Sequence, residues 1–168
     1  MAIITIHDFK GERNIAQKDN PGVQELVDYF IEKYEYKFLK SLLGKTLADE
    51  FLAGLLEDPI DSKWTELRDG TDLKEMLVDY VYFFYMENMT TTTAGTGENK
   101  AKNENSTVAG NWDKNVKAWN DMVKMTRLFD LSTETYPDFK RVYWRTYDYW
   151  YCGCSVDEIY YYKNTLNI

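Results

Sequence analysis

Leu73-Lys74-Glu75-Met76-Leu77-Val78-Asp79-Tyr80-Val81-Tyr82-Phe83-Phe84-Tyr85-Met86 is the stretch that decides the fold. Leu73, Met76, Leu77, Tyr80, Val81 and Phe84 recur at the three- and four-residue steps that gather side chains on one face of an α-helix. Val78, Tyr82 and Tyr85 make much of a second face apolar. A helix apolar on two sides lies at the centre of a bundle or is buried in an oligomer. Asp72 stands where a capping residue belongs, and Glu75 follows three residues later, as in a capping box.

Working toward the N-terminus, two more helices precede this one. Asn20-Pro21 is a cap residue followed by proline at the first turn, a helix-opening pair. Val23, Leu26, Val27, Phe30, Ile31 and Tyr34 then step along one face, and Phe38, Leu39, Leu42 and Leu43 extend it to a stop at Gly44. A second helix is expected from about Thr46, with Leu47, Phe51 and Leu55 on one face, ending before Pro59. A short helical turn is expected to hold Trp64 and Leu67 before Asp69-Gly70. Residues 1–20 read as an N-terminal arm, either ordered by a partner or frayed: Ile3-Ile4-Thr5-Ile6 is β-prone, and Lys10 to Asn20 is polar.

Toward the C-terminus the composition changes abruptly. Thr90 to Gly110 holds six Thr, three Gly and no aromatic residue. So long a segment without helical period is uncommon inside a compact domain and is usually functional or disordered. Its threonines also suit strand structure, so a β-hairpin arm is a second expectation. A fourth helix is expected from about Trp112 to Leu131, with Trp112, Val116, Trp119 and Val123 on its apolar face. A fifth opens at Thr135-Tyr136-Pro137 and runs to Gly153, and Ser155 to Glu158 opens a last short one. The expected fold class is therefore all-α: a single helical domain over 21–168, about five helices, with 90–110 as an inserted loop or arm.

The chain has 168 residues, enough to bury roughly 70% of the surface its unfolded form exposes. Its net charge of −8 makes it a poor general binder of phosphate backbones. Cys152 and Cys154 are too close for an unstrained disulfide and have no second pair or histidine with which to hold zinc. They read as reduced thiols of a cytoplasmically folded protein. No apolar run approaches the roughly 20 residues needed to span a bilayer, nor is there a signal peptide, so the Asn-x-Thr/Ser matches at Asn88 and Asn105 are chance.

Chemistry is sparse. The single histidine, His7, lies in the N-terminal arm, and no Ser-His-Asp or Cys-His set is expected to be built from a mobile end. Gly95-Thr96-Gly97-Glu98-Asn99-Lys100 lacks the spacing of a phosphate loop. The acidic pairs Asp28/Glu32, Asp49/Glu50 and Glu57/Asp58 fall on polar faces or helix ends. No catalytic, cofactor or metal residues are assigned, and the chain is expected not to be an enzyme. Lys114, Lys117, Lys124 and Arg127 form a basic face on the fourth helix, and Lys140, Arg141 and Arg145 a second cluster. Such a face is a solvated surface, a protein contact or a site near DNA. From Ser132 onward there are eight Tyr, two Trp and one Phe, and a short helix cannot bury Tyr160, Tyr161 and Tyr162 against one face. At least one should meet a partner or solvent.

Tyr34-Glu35, Phe38-Leu39, Leu42-Leu43-Gly44, Leu47 and Glu50-Phe51 resemble the opening helices of head–tail connector (adaptor) proteins of tailed bacteriophages. Met76 to Met89, the Thr/Gly-rich segment and Asn115-x-x-x-Trp119-Asn120 look like the versions found in crAss-like gut phages. The resemblance covers about residues 22–130. It implies a virion protein forming a ring, commonly of twelve copies, beneath the portal protein. Such a ring contacts adjacent neck or tail proteins and lets DNA pass without sequence-specific binding. By resemblance, Thr91, Thr92, Thr93, Gly95, Gly97 and Asn99 would lie in a partner-reaching loop and Tyr160, Tyr161 and Tyr162 in a partner-reaching arm. The two-sided third helix and the surplus tyrosines are expected to supply the two lateral faces a ring subunit needs. The rival expectations are a head-closure or tail-completion protein, and a cytosolic helical module that binds another protein.

Overall fold

A computed structural model describes residues 2–94, 97–100 and 111–139. Helix α1 runs Pro21–Leu43. It opens on Asn20, whose side-chain oxygen accepts from the Gly22 N–H at 2.9 Å, satisfying one of the donors a helix start leaves over. It stops at Gly44, whose φ of +83° is a conformation side-chain-bearing residues rarely adopt. Helix α2, Lys45–Gly54, follows at once, and α3, Ser62–Asp69, is capped by Asp61. Helix α4 is Leu73–Thr90 and α5 is Asn111–Leu128. Thr71 ties α3 to α4: its hydroxyl donates to the Leu67 carbonyl at 2.7 Å and accepts from the Leu73 N–H at 3.3 Å.

The fold class is all-α, as the periodicity predicts, with five helices among the described residues. One of the five is the short α3, expected only as a turn. The helix expected from Thr135 does not start there: residues 133–139 are turns, and 140–168 lie outside the described residues. That range contains Cys152, Cys154, Tyr160, Tyr161, Tyr162 and the cluster of Lys140, Arg141 and Arg145. Helix α5 ends at Leu128, three residues earlier than expected. Tyr136 still packs onto the bundle, donating its hydroxyl to the Lys63 carbonyl at 2.6 Å.

Helix α4 lies between α1 and α5 and is buried on nearly every side. Against α1, Tyr34 stacks on Phe84 at 4.1 Å and Phe38 meets Tyr80 at 5.1 Å. Against α5, Phe83 meets Trp119 at 4.8 Å. Such aromatic pairs add about 0.5–1.5 kcal/mol each beyond their buried area. The two apolar faces of α4 are thus consumed inside one chain. This corrects the expectation that α4 supplies lateral contact faces: Tyr80, Tyr82 and Tyr85 are all buried in their own bundle.

The N-terminal segment is likewise not a detached arm. It holds no α-helix, only 3-10 turns at Ile6–Asp8 and Gly11–Arg13. Yet Ile3, Ile4, Ile6, Phe9 and Ile15 are buried in the common core. The segment is a strap across the bundle. These apolar residues are pressed on the helices, and most of its polar residues lie in water.

From the end of α4 the chain enters a two-stranded antiparallel hairpin, β1 (Thr91–Ala94) and β2 (Gly97–Lys100). Thr91 pairs with Lys100, Thr92 with Asn99, Thr93 with Glu98 and Ala94 with Gly97. β-branched threonine suits a strand better than a helix, which is why α4 gives way at this point.

Candidate functional site

The strap is held to the helices by buried charge. Arg13, in the second 3-10 turn, is 8% exposed. Its Nε donates to Asp79 Oδ1, and its Nη2 donates to Asp121 Oδ2 at 2.7 Å. Asp79 belongs to α4 and Asp121 to α5, so one guanidinium joins three parts of the chain. Beside it, Lys117 of α5 donates to Glu12 of the strap. Farther along, Glu35 of α1 is buried and accepts from the backbone N–H groups of Ile3 at 2.8 Å and Ile4 at 3.5 Å. These bonds satisfy strap amides that have no helix or sheet to pair with.

Burial sets the electrostatics. It pushes the Asp79 carboxyl up to about 6, against the pull of the Arg13 guanidinium. Burial also raises Glu35, partly offset by the two N–H groups it accepts from. The Arg13 guanidinium loses solvation in the same place, but its bonds to Asp79 and Asp121 more than restore its hold on the proton.

Above this clamp opens a cleft of about 660 Å³ between the strap, α4 and α5. Lys10, Lys74 and Lys124 line it together with Asp8, Glu12 and Glu75. Its charges are mixed, and its deepest carboxylates are engaged by Arg13. It offers no nucleophile poised beside a base, the pairing that acyl or phosphoryl chemistry would require. Among the described residues no three His, Cys, Asp or Glu side chains gather to hold a metal ion. Also among them, no helix is long and apolar enough to cross a membrane.

The basic face expected on α5 is present. Lys114, Lys117, Lys124 and Arg127 are all exposed. Lys117 is bound to Glu12, while Lys124 reaches the cleft. Leu128, 80% exposed, lies on the same side. Of the loop residues, Thr91, Thr92, Thr93, Gly97 and Asn99 fall in the hairpin strands, and Gly95 lies outside the described residues. His7 is exposed on the strap.

The clamp itself escapes a reading of periodicity. Its one local sign is Asp79, a charge set between Val78 and Tyr80 in an otherwise apolar stretch. Carboxylates are almost never buried without a partner, so such a position calls for a cation from elsewhere. A second oddity is Asn115, fully buried, whose amide nitrogen and oxygen find no hydrogen bond among the described residues.

Comparison of the chain with protein-family profiles, curated proteins and solved structures returns no match.

Proposed function

We propose that this chain is a structural subunit of a tailed-phage neck: a head–tail connector that assembles as a ring beneath the portal and carries no catalytic activity of its own. In this reading the ring, commonly of twelve copies, extends the DNA channel and docks the next neck or tail protein. The protein resides in the virion after assembly in the bacterial cytoplasm.

The observation that carries the reading is the junction of α4 with the β1–β2 hairpin. A central helix buried along most of its length ends in an exposed turn, Glu87 to Met89, and leads directly into a Thr/Gly-rich segment, a layout suited to carrying a reaching element clear of the bundle. The sequence resemblance over residues 22–130 points the same way. The acidic balance of the chain suits a channel wall from which DNA slides without adhering.

Electron microscopy of native particles tests this directly: density for the chain as a closed ring next to the portal is expected, and absence from particles ends the reading. Replacing residues 91–109 by a short Gly/Ser linker is expected to leave the helical circular dichroism intact and to block particle assembly. Infectious particles assembled from that variant would contradict it.

A second reading has its own support. The internal burial of Tyr80, Tyr82 and Tyr85 fits a helical protein-binding module that stays monomeric. Absence from virions, together with a monomer at every concentration, would favour that module.

A further inference from the structure

Helix α1 presents to solvent a stripe made of Glu25, Asp28, Tyr29, Glu32 and Tyr36, all exposed. Their spacings of three and four residues place them on one side of the helix, away from the face that packs on α4. Tyr29 is 53% exposed and Tyr36 is 39% exposed. Helix α5 presents Lys114, Lys117, Lys124, Arg127 and Leu128 in the same manner. Because α4 lies between α1 and α5, these two surfaces face different sides of the bundle.

The acidic stripe is costly in isolation. Like charges three or four residues apart on a helix repel by a few tenths of a kcal/mol per pair. Glu25/Asp28 and Asp28/Glu32 are two such pairs, whereas on α5 Lys117 is paired with Glu12 and Asp121 stands at helical spacing from both Lys117 and Lys124. Among the described residues, Glu25, Asp28, Glu32, Lys114 and Lys124 are in no ion pair. The acidic stripe carries two exposed tyrosines and the basic stripe one exposed leucine, the apolar content a contact centre requires. Lys33 leans over the Tyr29 and Tyr34 rings, Lys37 and Lys40 are exposed farther along the helix, and Tyr36 donates its hydroxyl to Asp49 at 2.8 Å, so the acidic charge lies in the first half of α1.

We infer that the acidic Tyr29/Tyr36 face of α1 and the basic Leu128 face of α5 are mates: the α5 face of one copy docks on the α1 face of the next copy. Opposite charges steer the approach and set the register, while the tyrosines and Leu128 give the centre its apolar area. A contact between two different patches repeats head to tail, and so builds a ring when its rotation closes and a filament when it does not. This inference deepens the neck-ring reading by naming its lateral contact, and it takes over the role that buried α4 cannot fill.

Two charge reversals test it. One variant carries Glu25→Lys, Asp28→Lys and Glu32→Lys; the other carries Lys114→Glu and Lys124→Glu. Lys117 and Arg127 are left alone to spare their existing contacts. Circular dichroism and thermal melting first establish that both variants fold. In sedimentation at low salt and millimolar protein, the wild-type chain is expected to associate, and to dissociate as salt shortens the Debye length from ~30 Å toward ~3 Å. Each variant alone is expected to remain monomeric. An equal mixture is expected to associate again, because each reversed face then meets a complementary one. A monomeric wild type, association of either variant alone at wild-type strength, or an inert mixture overturns the inference. Incorporation into particles is scored separately. Neck rings that accept both variants would remove this interface while leaving the neck reading in place. Head-to-tail association through these faces in a chain absent from virions would do the reverse.

Discussion

Glu35 and Arg13 do at the scale of single residues what a helix or sheet would do for the strap. Glu35 offers one carboxylate oxygen to two amides, and Glu35→Gln keeps an acceptor there while removing the charge. Burial raises the folded-state pKa of Glu35 above its unfolded value. The folded chain therefore binds the proton more tightly, and stability from this site is present at low pH and lost as pH rises through the raised pKa. Asp79, pushed up to about 6, has the same sign, so its contribution falls between the unfolded pKa of 3.8 and about 6. Urea unfolding of Glu35→Gln should accordingly show a higher stability than wild type at pH 8 and a flatter dependence as pH rises from the unfolded value of 4.5. A Gln variant less stable than wild type at pH 8 would contradict this. Arg13 is the opposite kind of residue, a cation on which two carboxylates depend. Arg13→Ala strands Asp79 as an uncompensated buried charge and is expected to cost about 3–5 kcal/mol. Arg13→Met combined with Asp79→Leu, which removes both buried charges, should cost clearly less. The comparison is read from two denaturation midpoints.

At the scale of elements, α1 and α4 were legible because their signals are local. Asn20-Pro21 and Gly44 bracket α1, and the double apolar face of α4 forecasts burial on both sides. The strap was not legible, because Ile3, Phe9 and Ile15 follow no helical or strand period; their burial is decided by helices far along the chain. The clamp was hidden for the same reason, since Arg13 finds its partners 66 and 108 positions away. The placement of α2 against α3 depends on another non-local fact. Gly54 abuts the Trp64 indole so closely that any Cβ there would overlap the ring. Gly54→Ala should therefore destabilise the chain by about 1–3 kcal/mol through displaced packing. Intrinsic fluorescence of Trp64 should shift as its ring moves, and an unchanged melting temperature would show that α3 gives way without cost.

For the whole molecule, the core is a single cluster to which strap, α1, α2, α3, α4 and α5 all contribute. Removing the strap should then not trim an appendage but open the core. Fully burying one Ile or Phe side chain stabilises by about 1.5–3 kcal/mol, and the strap buries five residues of these two types. That loss is comparable to the entire stability of a small domain, about 5–15 kcal/mol. A chain lacking residues 1–16 is expected to bind hydrophobic dyes and lose cooperative thermal unfolding. A sharp transition at the wild-type temperature would show the strap to be dispensable.

The clamp also imposes an order of events on synthesis. Arg13 leaves the ribosome long before Asp79, and longer still before Asp121. At roughly 5–20 residues per second, the strap waits on the order of ten seconds for its last anchor to be made. During that wait Glu35 of α1 is already made and can receive the Ile3 and Ile4 amides, while Arg13 still lacks its anchors on α4 and α5. A chaperone that recognises short apolar segments near an N-terminus would have this interval in which to act.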